Sequence, residues 1–198
     1  MSNEAGERAW VLPDEPVPVR LMSTIWADTE GLHDDLRSPQ DVDEWLDAVK
    51  IDRGSTLCRP DELDTARGLR DALRRLAAHV TTDTRPAAAS AMSDLQDAVE
   101  QVNRVAARAP APVLTLHGQQ LGQDVQVGVS PVAAGLARVA EDAIQLLAGE
   151  TATRLRACYA PGCVLYFVKT HPRRQWCSVA CGNRARAARH YQRNRAHR

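Results

Sequence analysis

Apolar positions recur at intervals of three and four over most of this chain and at intervals of two in one region, so the pattern predicts a mainly helical protein with one β-hairpin. Residues 1–18, with four acids and three prolines, read as a loose N-terminal arm. Residues 19–29 form an apolar run that fits a short buried helix as well as a strand, because periodicity does not separate the two. Ser38-Pro39-Gln40-Asp41 is a helix start, with a hydroxyl cap, proline at the first position and an acid at the third; Val42, Trp45, Leu46 and Val49 follow at helical spacing. Pro60-Asp61-Glu62 opens a second helix with Leu63, Ala66, Leu69, Leu73, Leu76 and Val80 on one face. Its Arg67, Arg70, Arg74 and Arg75, interleaved with Asp64 and Asp71, are expected as an ion-paired surface. Residues 87–107 predict a third helix through Met92, Leu95, Val99, Val102 and Ala106, stopped by Pro110 and Pro112.

The period then changes to two over residues 113–117 and 124–129, with two glycines between them, which predicts the hairpin. Ser130-Pro131 caps a further helix with Val132, Leu136, Val139, Ala140, Ala143, Ile144 and Leu147 along one stripe and Gly149 as its stop. Four amphipathic helices can bury a core; the last 48 residues cannot without a cross-link. The expected class is therefore α+β, mainly α: an arm over 1–18, a helical domain with a β-hairpin over 19–150, and a small module over 151–198.

Charge sharpens that division. The formal net charge is zero, yet residues 1–150 hold all 25 acids and 14 of the 25 basic residues, whereas residues 151–198 hold 11 basic residues and no acid. Such asymmetry points the C-terminal module at a polyanion. Neither a signal-peptide pattern nor an apolar run of membrane-spanning length is present, so a soluble cytoplasmic protein is expected, and in that compartment paired cysteines indicate metal rather than disulfides.

Four of the five cysteines lie in the C-terminal module as C-x4-C-x13-C-x3-C: Cys158, Cys163, Cys177 and Cys181. Two short chelate loops joined by a longer one is the form of a tetrahedral zinc site, here one structural Zn2+ whose four thiolates leave no position open for catalysis. His171, mid-way along the long loop, is the weaker alternative ligand. Between the pairs, residues 164–169 are strand-like, and Tyr166, Phe167 and Trp176 are expected to form a mini-core around the metal. Ser178 is placed to cap a helix that carries Cys181 in its first turn.

The segment Cys158-Tyr-Ala-Pro-Gly-Cys163, the Leu165-Tyr166-Phe167 strand, and Trp176-Cys177-Ser178 with Cys181-Gly182-Asn183-Arg184 resemble the CGNR zinc-finger family of bacterial, notably actinobacterial, proteins. In that family the finger follows a domain called ABATE, associated with stress-induced transcription regulation; residues 21–28, Leu-Met-Ser-Thr-Ile-Trp-Ala-Asp, look like the opening of that domain. The resemblance implies a treble-clef-like finger, with a β-hairpin and a basic helix, in a DNA-binding regulator.

On a helix over residues 179–197, Arg186, Arg189, His190, Arg193 and His197 share a sector about 100° wide, with Cys181, Ala185, Ala188 and Gln192 opposite. Arg184 and Arg195 flank Tyr191. These arginines, with Arg173 and Arg174 of the loop, are the candidate nucleic-acid contacts. DNA is the expected partner, RNA or an acidic protein the alternative, and a membrane is not expected. An enzyme built around Trp26, Asp28 and His33 is disfavoured because no nucleophile–base pair or phosphate loop accompanies them. His33-Asp34-Asp35 is read as a solvated turn, His117 as a strand end, and Cys58 as a small side chain without a role. The division of charge further raises the idea that the acidic domain folds back over the basic helix; two independently charged domains on a hinge near Glu150 is the simpler reading.

Overall fold

Proline in the first turn, a capping side chain, or both set the helix starts. In the computed structural model, which describes residues 12, 14–126 and 128–196, helix α1 is Val17–Met22, α2 Pro39–Ala48, α3 Pro60–Thr81, α4 Leu95–Ala106, α5 Pro131–Ala148 and α6 Val179–Ala196. The first part of the expected arm and His197 lie outside the described residues. The N–H and Oγ of Ser38 both donate to Asp41 at the start of α2, at 2.7 and 2.8 Å. Ser130 accepts the Ala133 N–H at the start of α5, whose C-cap is Gly149. No helix among the described residues is long and apolar enough to cross a membrane.

Residues 19–29 are both of the expected elements in succession. The run starts in α1, which ends where Ser23 and Thr24 turn their hydroxyls back onto the Val19 and Leu21 carbonyls, at 2.8 and 2.9 Å. Strand β1 (Ile25–Ala27) then pairs antiparallel with β2 (Leu32–Asp34). The third helix is shorter than its periodicity suggested. Asp94 caps it, accepting the Asp97 N–H at 2.9 Å, and residues 86–93 are instead a short turn and loop. That loop is tied to α3: Ser90 donates to the Asp71 carbonyl, and Arg75 to the Ser93 carbonyl. Strands β3 (Ala111–His117) and β4 (Gln120–Gln126) make the expected hairpin, with a tighter, two-residue turn.

Helix α3 is central and packs on α1, α2, α4 and α5. Leu63, Ala66, Leu69 and Leu73 are buried there, joined by Trp45 and Leu46 of α2, Val102 of α4 and Leu136 and Val139 of α5. Its arginines depart from the expectation of an ion-paired surface. Arg70 and Arg74 are only 4% and 2% exposed. Arg70 does pair with Asp34 and Asp71, but Arg67 donates to the Leu36 and Arg37 carbonyls, and Arg74 to those of Met22, Ala88 and Val164. A guanidinium has five donors, so a buried one can join several separate segments of backbone at once.

One of those segments belongs to the C-terminal module. Strands β5 (Leu155–Ala157) and β6 (Tyr166–Val168) pair antiparallel, with Leu155 opposite Val168 and Ala157 opposite Tyr166. These four residues lie on one face and complete the core of the helical region. Phe167 points the other way, into the cysteine cluster. Tyr166 is therefore not part of the metal mini-core; its hydroxyl donates to Asp83 at 3.1 Å. The last residues assigned to the arm are also engaged: Glu15 is 6% exposed, accepts the Val168 N–H at 2.9 Å and pairs with Arg174.

Arg74→Met leaves three buried carbonyls without a donor, and urea titration is expected to show a loss of about 2–3 kcal/mol. Burial of Asp83 works to raise its pKa, but the Arg85 guanidinium, the Arg85 N–H and the Tyr166 hydroxyl together hold it below 3.8. Its stabilisation is therefore complete above about pH 4 and disappears as pH falls through the lowered folded value. Acid titrations of the wild type and of Asp83→Asn are expected to differ in that window.

Candidate metal centre and basic helix

The first cysteine pair is set by a tight turn. The Cys163 N–H returns to the Ala160 carbonyl at 2.9 Å, with Pro161 and Gly162 at the corners. Gly162 has φ +72°, the left-handed position that a proline–glycine turn of this type requires. The second pair straddles the start of α6, where Ser178 accepts the Cys181 N–H at 3.2 Å as expected. Close approach explains Gly182: a Cβ there would lie 3.1 Å from Trp176 Cδ1.

The four thiols converge. Cys158, Cys163, Cys177 and Cys181 are all buried and their Sγ atoms lie within 4.8 Å of one another, the one such donor group among the described residues. Cys163 and Cys177 are 3.8 Å apart and Cys177 and Cys181 3.4 Å. A tetrahedron of thiolates around zinc has edges of about 3.8 Å, so the donor set fits such an ion. Packed this closely, the sulfurs share protons. Hydrogen bonds from Cys163 and Cys177 bring Cys158 down to about 7, and hydrogen bonds from Cys158, Cys163 and Cys177 hold Cys181 far below the thiol range. The bond to Cys158 is the largest of the effects that push Cys163 and Cys177 far up. A divalent cation removes the conflict by letting all four ionise.

The shell around the sulfurs comes from both ends of the chain. Arg184 donates to Cys181 Sγ at 3.0 Å. Burial works to lower the pKa of Arg184, but the Cys181 thiolate holds it above the usual value. Arg85, from the loop after α3, donates to the carbonyls of Cys158 and Cys163 at 2.7 and 2.6 Å, is gripped by Asp83, and covers the Tyr159 ring at 4.6 Å. Trp26 packs on the cluster, stacked on His33 and donating to Asp35.

The remaining candidates separate clearly. His171 is exposed, with Nδ1 accepting the Arg173 N–H, and is not among the converging ligands. His33, Asp34 and Asp35 lie along and just after β2 rather than in a turn, and reach different partners: Asp28, Arg70 and Trp26. Cys58 is apart from the cluster, its thiol pushed up to about 12 by burial and the nearby Glu62 and Asp43 carboxylates.

Arg174 is a correction among the candidate nucleic-acid contacts. Its guanidinium is committed inward to Glu15 and to the carbonyls of Val168, Trp176 and Cys177, over the Phe167 ring at 5.0 Å. Arg173, Arg184, Arg186, Arg189, Arg193 and Arg195 are exposed. Arg195 lies over Tyr191 at 6.0 Å. Among the described residues no ion pair joins an arginine of α6 to a carboxylate.

Glu15, Arg74, Asp83 and Arg85 were missed as supports of this centre. Glu15, Arg74 and Arg85 lie from 73 to 153 residues away from the C-terminal backbone they hold, and Asp83 acts through Arg85 and the Tyr166 hydroxyl.

Residues 15–150, more than half of the chain, match ABATE, whose description is "Putative stress-induced transcription regulator". The chain belongs to the ABATE family. Beyond the ABATE region, residues 154–194 match the CGNR zinc finger. None of the curated proteins matches. The CGNR residues now have places: Cys181 is one of the four converging thiols, Gly182 admits Trp176, Asn183 accepts from Arg186, and Arg184 donates to the Cys181 sulfur.

Each of Cys158→Ser, Cys163→Ser, Cys177→Ser and Cys181→Ser is expected to lose the bound metal, read by metal analysis of the purified protein. Retention falls as pH falls, because protons compete for the thiolates. Arg184→Gln keeps all four ligands and is expected to weaken metal affinity about tenfold in a chelator competition.

Proposed function

We propose that this ABATE-family protein is a DNA-binding regulator in which a zinc ion at the four cysteines holds α6 as a rigid basic surface. The observation that carries this reading is the exposure of Arg186, Arg189 and Arg193 on a helix anchored at Cys181, without a carboxylate partner among the described residues. Unpaired surface cations of this kind neutralise phosphates and release counterions. The zinc is structural: four thiolates fill its coordination, and its binding energy, of order 10–16 kcal/mol in small modules, goes into folding the finger. The family description adds stress-induced regulation of transcription as the setting. In this reading Asp83, Arg85, Glu15 and Arg174 hold the finger on the ABATE region, so that α6 is presented at a set orientation rather than on a free hinge.

Fluorescence anisotropy of the full-length protein with duplex DNA over a salt series tests the proposal. The wild type is expected to bind with steep salt dependence. The triple variant Arg186→Ala, Arg189→Ala, Arg193→Ala is expected to keep its metal and helix content and to lower the log–log salt slope by about 3. No salt-dependent binding by the wild type, or preference for structured RNA or an acidic protein in direct competition, overturns the assignment to DNA.

A further inference from the structure

The β3–β4 hairpin turns its apolar face to solvent. Opposed residues in an antiparallel pair share a face, and the pairs Pro112–Val125, Leu114–Gln123 and Leu116–Leu121 put five apolar side chains together. Leu114 is 75% exposed, Leu116 65%, Leu121 71% and Val125 49%. On the other face Val113, Thr115 and Gly122 are partly shielded. The strands pack extensively only with each other, around a turn in which Gly118 has φ +66°. An isolated two-stranded hairpin is marginal in water, and this one also leaves its large side chains wet.

We propose that this face is the contact through which two copies of the chain associate, hairpin against hairpin across a twofold axis. Three observations select a second copy as the occupant. The face carries no charged side chain, since Asp124 lies on the opposite one, so a phosphate, an anionic lipid surface or an acidic peptide finds no partner there. The pattern is self-complementary: leucines beside the turn and Pro112 with Val125 at the base let the end of one hairpin cover the base of the other. The four most exposed of these residues offer up to about 500 Å² per copy, so the pair can remove up to about 1,000 Å² from water before any rim contact, the threshold at which a contact between proteins becomes specific. Such a dimer carries two basic helices, but the association stands whether or not they bind DNA.

Sedimentation velocity of the full-length, metal-loaded protein from about 1 to about 100 μM tests this. The wild type is expected to double in mass as concentration rises. Leu116→Glu with Leu121→Glu is expected to stay monomeric throughout, with unchanged helix content and metal content. Thr115→Glu, a charge on the opposite face, is expected to dimerise like the wild type and so shows that any loss depends on the face and not on added charge. A wild type that stays monomeric at the highest concentration, a Leu116/Leu121 variant that still dimerises, or a Thr115 variant that is equally monomeric overturns the proposal.

Discussion

Strand β6 faces two ways, and both parts of the molecule depend on it. Tyr166 and Val168 complete the core built by the ABATE helices, and Phe167 between them closes the cysteine cluster. The cause is the period of two in a strand, which sends neighbouring side chains to opposite faces. Three residues thus join a hydrophobic core to the cysteine cluster. A finger too small to bury itself obtains part of its apolar cover from its neighbour.

Polar contacts reinforce this joint where apolar packing stops. The carbonyls of a metal knuckle point away from the metal and need donors, and Arg85 supplies two while Asp83 holds its guanidinium in place. Arg74 reaches the knuckle from the opposite direction and lies against Tyr166. Glu15 and Arg174 pair under the shelter of both regions, and although burial raises the pKa of Glu15, the Val168 N–H and the Arg174 cation work against that rise. The charged groups at the joint are consumed in making it. Arg173, Arg186, Arg189, Arg193 and Arg195 take no part in the joint, which explains how one module can be both structurally committed and strongly basic.

Helix α6 has an unusual division of labour along its length. Its first turns carry Cys181, Gly182 and Ala185, which are buried, and beyond Arg189 every described side chain is exposed. Its anchorage therefore lies at one end, at the Cys181 thiol and the close approach to Trp176. A helix held in that way keeps its cations in water, where their fields remain available to a polyanion.

Much of this was legible locally. Caps at Ser38, Ser130 and Ser178, the stripe on α3, the β3–β4 hairpin and the grouping of the four cysteines all follow from short-range rules of spacing and hydrogen bonding, and the amino-acid sequence by itself determined them. The late start of α4 had a signal in Asp94, but the apolar repeat running back to Met92 masked it, because a residue in a loop can pack on the core as well as one in a helix. Tertiary structure alone decided which arginines face water. Arg74 and Arg174 look like their exposed neighbours in sequence, yet they are drawn inward by carbonyls and a carboxylate that are far away along the chain. It also decided that the leucines of β3 and β4 stay uncovered, since alternation shows that a strand has an apolar face but not what lies opposite it. Covalent neighbours set spacing and caps; burial and long-range partners depend on where the rest of the chain comes to lie.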